Sequence, residues 1–149
     1  MIKNTEPYLM MKRAATIKAA TAWFDAFNRD SMIQDELLER IKTRLRENGT
    51  DETGQVIGYY SFFTSLINPE KVFNTPYTME DTGDFFASLF VQWFPSYILI
   101  DGDGQKGNEN LFDKFGEGII GADEEDKEWL IGAVKIKFID YVNRVLFKY

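Results

Sequence analysis

The chain has 149 residues, 44% of them hydrophobic and 28% charged, with a net charge of −7, no cysteine and no histidine. That length predicts one domain. The missing residue types exclude disulfide frameworks and cysteine nucleophiles and remove the commonest general base and zinc ligand. An acidic chain is repelled by phosphate backbones, which argues against duplex binding as a main activity.

For 17.3 kDa, area scaling predicts roughly 7,800 Å² of folded surface, enough to enclose a core without staples. The amino terminus has no long apolar signal-like run. No stretch reaches the ~18 uninterrupted apolar residues of a membrane span, so a protein used without export or membrane insertion is expected. Aromatic residues make up 15% of the chain, a surplus of the kind that subunit interfaces use.

Met10, Ala14, Ile17, Phe24 and Phe27 recur at helical spacing and predict a first helix over about 8–28. Asn28-Arg29-Asp30-Ser31 breaks it. Ser31 and Gln34 have capping-box spacing, opening a second helix with Ile33, Leu37, Leu38, Ile41 and Leu45 on one face. Asn48-Gly49 ends that helix, with Gly49 as a left-handed cap. The two are expected to form an N-terminal helical hairpin over about 8–48. Arg40, Lys42, Arg44 and Arg46 follow Asp35, Glu36 and Glu39 on the second helix. That order suits the helix dipole and reads as a solvated helix end.

From about 50 to 78 the chain turns to Gly, Thr, Asn and Pro with interspersed aromatics, and a long extended arm is expected, functional or ordered by a partner. Strands are expected at Phe85–Phe94 and Pro95–Asp101, although Phe85–Phe90 also reads as a helical turn, which would leave an α-only fold open. A polar turn over 102–107, a short helix over 110–115 and a final helix over about 123–146 follow. Asp123 and Asp126 have capping spacing at the start of that last helix, with Glu124 and Glu125 complementing its dipole. Leu130, Val134, Phe138, Tyr141 or Val142, and Val145 form its apolar face. The expected class is α+β: helical hairpin, arm, small antiparallel sheet, and a C-terminal helix packed on the sheet.

The motifs with chemical associations all read more simply as structure. Asp81-Thr82-Gly83 resembles an aspartic-protease triplet, but that chemistry needs two such loops, and one is present. Asp81, Thr82 and Gly83 are therefore expected to form a turn in which Gly83 takes a positive φ. Asp101-Gly102-Asp103-Gly104-Gln105 begins like a calcium loop, yet its sixth position is Lys106 and its twelfth Phe112, where glycine and glutamate are required. A hairpin tip is expected there. The acidic run 123–126 reads as a solvated helix start. Gly54-Gln55-Val56-Ile57-Gly58 lacks the lysine and the setting of a phosphate loop. No catalytic, cofactor-binding or metal-binding residue is assigned.

The order of these features, with Met79-Glu80-Asp81-Thr82-Gly83-Asp84-Phe85-Phe86-Ala87-Ser88, Phe115-Gly116-Glu117-Gly118-Ile119-Ile120-Gly121-Ala122-Asp123 and the upstream Gly54–Tyr60 stretch, resembles the tail-completion and virion-morphogenesis proteins of tailed bacteriophages. Those of phages of Bacteroidetes hosts, including the crAss-like group, are similar. The resemblance covers residues 30–148. It implies a structural virion protein, made in the host cytoplasm and placed in the neck or tail. There it would form a homo-oligomeric head–tail connector ring, hexameric or dodecameric symmetry being left open, that meets the portal and other neck proteins without sequence-specific nucleic-acid binding. Where that family carries a basic loop before the Asp-Thr-Gly segment, Ser61–Thr78 is nearly neutral, which points to protein neighbours. Tyr59, Tyr60, Phe62 and Phe63 on the arm are the candidate interface residues. The alternatives are a small phage protein binding a host protein, and a carboxylate hydrolase using Asp81 with Asp101 or Asp103.

Overall fold

The N-terminal periodicity resolves into two short helices. In the computed structural model, which describes residues 5–18, 20–27, 31–79 and 83–148, α1 spans Glu6–Ala14 and α2 spans Ala22–Phe27; the single helix expected over 8–28 is interrupted. Between the two, the N–H groups of Thr16, Ile17 and Thr21 bond carbonyls three residues back, the tight geometry with which helices end. The Thr16 hydroxyl also donates to the Arg13 carbonyl, a local bond that competes with the helical ladder.

Helix α3 (Met32–Glu47) buries Ile33, Leu37, Ile41 and Leu45, as its periodicity predicts. The expected Ser31 cap is absent: Ser31 has helical φ and ψ and makes no side-chain cap bond, and its carbonyl accepts the Asp35 N–H. Residues 28–30 lie outside the described residues. The stop signal works as read. Gly49 has φ +60°, and the N–H groups of Asn48 and Gly49 both reach the Arg44 carbonyl. Only glycine fits, because a Cβ would run into the Tyr77 carbonyl.

The segment expected as an extended arm folds back on itself around a short helix, α4 (Phe62–Ile67). Next come α5 (Asp84–Ser88), β1 (Phe90–Trp93) and β2 (Ile98–Asp101). The helical-turn reading of Phe85–Ser88 therefore holds for the front of the expected first strand. β1 and β2 pair antiparallel from Phe90↔Asp101 to Trp93↔Ile98, closed by the Phe94 N–H on the Tyr97 carbonyl. The polar turn belongs to a second hairpin, β3 (Gln105–Lys106) with β4 (Glu109–Asn110). Asn110 then caps α6 (Leu111–Phe115) by accepting the amides of Phe112 and Asp113. A 3₁₀ turn, Glu117–Ile120, leads to α7 (Glu124–Phe147).

Helix α7 opens with the predicted capping box: Asp123 accepts the Asp126 N–H at 2.8 Å and Asp126 reaches back to the Asp123 N–H at 3.4 Å. It is the spine of the molecule, with α1, α2 and α3 all packed against it. One buried cluster joins α3, α5, α6 and the 3₁₀ turn. A second joins Phe27, Ile33 and Trp93, with Trp129, Val134 and Phe138 of α7 against it. Phe27 of α2 and Ile33 of α3 share that second cluster, and both helices pack on α7. The fold is α+β.

Candidate functional site

The base of the arm is built to hold a projection. Gly58 lies so close to Tyr77 that a Cβ would sit 2.5 Å from the tyrosine ring. This allows the Tyr77 N–H to reach the Gly58 carbonyl at 2.9 Å. Tyr59 bridges to Pro76, and Tyr60 exchanges backbone bonds with Thr75 and Asn74 at 3.0 Å each. Asn74 absorbs the resulting bend at φ +61°, a left-handed conformation that asparagine tolerates better than most residues. Tyr60 locks the neck of the loop. Its ring meets Tyr77 edge-on at 5.0 Å, Tyr77 continues to Phe115 at 5.8 Å, and the Tyr60 hydroxyl accepts the Thr78 N–H at 3.2 Å.

Above this neck, α4 is inside out. Ser61 caps it by accepting the Thr64 N–H at 3.2 Å. Phe62, Phe63, Leu66 and Ile67 form one face of the helix, while Thr64 and Ser65 form the other. The polar pair is half-buried and the apolar face is in solvent, with Phe63 75% and Ile67 86% exposed. Val72, Phe73 and Tyr59 extend the patch, and the Phe62 ring packs edge-on against both Phe63 and Phe73 at 6.2 and 6.1 Å. Seven large apolar or aromatic side chains are thus exposed between Tyr59 and Phe73, and clustered exposed apolar side chains mark interaction sites.

Of the four arm residues singled out in the sequence, Tyr59, Phe62 and Phe63 therefore lie on the projection. Tyr60 does not: it is 6% exposed, its ring enclosed by the neck. Sequence reasoning missed Leu66, Ile67, Val72 and Phe73. The i, i+1, i+4, i+5 spacing of Phe62, Phe63, Leu66 and Ile67 signals an amphipathic turn, but not which face is turned outward.

The other candidate residues are engaged in structure. Asp81 and Thr82 lie outside the described residues, and Gly83 stands at φ +85° ahead of α5. Asp101 accepts the Gly102 amide at 2.7 Å and Asp103 the Gln105 amide at 2.9 Å, both as turn-forming bonds. Among the described residues no group of three or more His, Cys, Asp or Glu could hold a metal ion, and no helix is long and apolar enough to cross a membrane.

One member of each charge cluster expected to be solvated is interior, while Arg46, Glu124 and Glu125 are exposed as expected. Arg44 is 7% and Asp126 4% exposed. Arg44 pairs with Asp126 at 3.1 Å and donates to the Gly121 carbonyl at 2.7 Å and the Thr50 carbonyl at 3.2 Å. Arg40 reaches the second Asp126 oxygen at 3.0 Å. Their side chains line a cleft of about 300 Å³ between α3 and α7. This network fastens α3 to α7.

The chain matches no family model, no curated protein and no solved structure.

Proposed function

We propose that this chain is a non-catalytic assembly subunit whose projecting helix α4 is buried by a neighbouring protein. Joined to the order of sequence features, the reading becomes specific: a virion subunit of a tailed bacteriophage, forming a connector ring between portal and tail. The observation that carries the assembly role is the inversion of α4, with its polar face inward and Phe62, Phe63, Leu66 and Ile67 outward. A protein that remained alone would gain by turning that helix over, since each large apolar side chain buried is worth about 1.5–3 kcal/mol. The phage identity rests on the resemblance of residues 30–148 alone. The reading includes protein neighbours, a homo-oligomeric ring, and no membrane or sequence-specific nucleic-acid contact.

Quantitative mass spectrometry of purified particles of the source phage tests the virion role. A constant copy number relative to portal is expected. Absence from particles would replace it with binding of the same surface to a host protein. The assembly role itself is tested on the purified chain by Phe63→Glu. The variant should keep the parent's urea midpoint and lose self-association in sedimentation velocity, and unchanged association would sink the docking role of α4.

A further inference from the structure

We propose that the open edge of β2 is a docking site for an extended, basic segment of a partner protein, which joins the β1–β2 hairpin as a third strand. The site shares no residue with the α4 projection and does not depend on the assembly reading above.

The pairing register fixes which backbone groups of β2 are left over. Facing residues of an antiparallel ladder alternate between hydrogen-bonded and non-bonded pairs. The Phe94 N–H on the Tyr97 carbonyl marks a bonded pair. Gln92 with Leu99 is then bonded, whereas Trp93 with Ile98 and Val91 with Ile100 are not. The N–H and C=O groups of Ile98 and Ile100 therefore point away from β1, and among the described residues they make no hydrogen bond. Such a row of unpaired donors and acceptors is a template for another strand, and strand addition is a recurring mode of peptide recognition.

A groove of about 370 Å³ opens beside this edge, with Leu99, Ile100 and Asp101 on one side and Ile120 of the 3₁₀ turn on the other. At about 3.3 Å per residue the four residues of β2 offer an edge of about 13 Å. The charged residues lining the groove are of one sign: Glu52, Asp101 and Glu117. All three are exposed, and none forms an ion pair with a described residue. Glu52 is fixed by its N–H on the Gly118 carbonyl at 3.0 Å, and its carboxylate lies where a Cβ on Gly121 would stand. Lys127, which feels the Glu52 charge, is held by Glu124 at 2.8 Å.

Three carboxylates around an unpaired strand edge attract cationic side chains and repel acidic ones. The net charge of −7 makes a second copy a poor occupant, so the edge selects a basic partner. Ile98 and Ile100 face the buried clusters, and Asp101 faces the opposite side of the hairpin. An added strand turns alternate side chains to these two sides, which suits apolar residues alternating with lysine or arginine.

A blocked peptide alternating valine and lysine, titrated into the isotope-labelled full chain and followed by NMR, tests this. The Ile98 and Ile100 amides should shift and gain protection from hydrogen exchange, and the same peptide with glutamate for lysine should not bind. Of two peptides N-methylated at the valines or at the lysines, one should lose binding and the other keep it, because only alternate amides face β2. Glu117→Lys should weaken binding about tenfold, by removing one attraction and adding a repulsion of similar size. Asp101→Asn, which can still accept the Gly102 amide, takes its place should Glu117→Lys lose the parent's circular dichroism, with about threefold expected. Phe63→Glu should bind the peptide like the parent. No binding at ~1 mM peptide, a dissociation constant worth only about 4 kcal/mol, overturns the inference. So do equal binding by both methylated peptides, binding by the glutamate peptide, or a folded charge variant that binds like the parent, and each leaves the assembly role standing.

Discussion

Arg44 illustrates what a single residue does here. Its guanidinium bonds the Asp126 carboxylate and the carbonyls of Thr50, Ile119 and Gly121, so one side chain ties α3 to the arm base, the 3₁₀ turn and the start of α7. Removing one member of a buried ion pair leaves its partner uncompensated and typically costs 3–5 kcal/mol. Because Arg40 also reaches Asp126, Arg44→Met should lose about 3 kcal/mol in urea denaturation. Arg44→Lys should recover less than half, since an ammonium cannot present the same fork of donors; full recovery by lysine would show that charge alone matters. Asp51 works locally. The Thr53 hydroxyl at 2.6 Å and the amides of Thr53 and Gln55 hold its carboxyl below the ordinary value of 3.8. With the folded value lowered, the stabilisation is full above the unfolded value and is lost as pH falls through the folded one. Thr53→Val should therefore cost about 0.5–1 kcal/mol at pH 7, and the difference from the parent should shrink as pH falls below 3.8 and through the lowered folded value. A difference independent of pH would contradict this account.

Among the elements, α4 is the one whose orientation folding energetics do not explain. It buries no residue completely, and its neck is held by Tyr59, Tyr60, Pro76 and Tyr77. Replacing residues 61–74 with an Asn-Gly turn, which suits antiparallel closures, should leave the urea midpoint within about 1 kcal/mol of the parent while abolishing association. A chain that unfolds on excision would show that the projection belongs to the core. The break between α1 and α2 has the opposite character, because the two short helices serve the fold directly. Arg13 anchors α1 to the Leu146 carbonyl near the end of α7. Phe27 carries α2 into the cluster with Trp93 and the middle of α7.

At the scale of the whole molecule, Trp129 and Leu130 of α7 pack against both buried clusters, which makes that helix the joint of the fold. Much of the architecture is legible in the sequence because its causes are local. The box at Asp123 and Asp126, the left-handed stop at Gly49 and the 3.6-residue rhythm of α3 each involve residues within a turn or two of one another. Secondary elements and the α+β class follow from such signals. The solvated reading of Arg44 and Asp126 fails because their partners lie 82 positions apart, and no local pattern records a pairing across that distance. The extended arm fails for the same reason, since Gly58 and Tyr77 close it from opposite ends. The periodicity of Phe62, Phe63, Leu66 and Ile67 marks an apolar face in sequence. Whether that face turns to the core or to solvent depends on what the rest of the chain has already filled, and only the tertiary structure decides it.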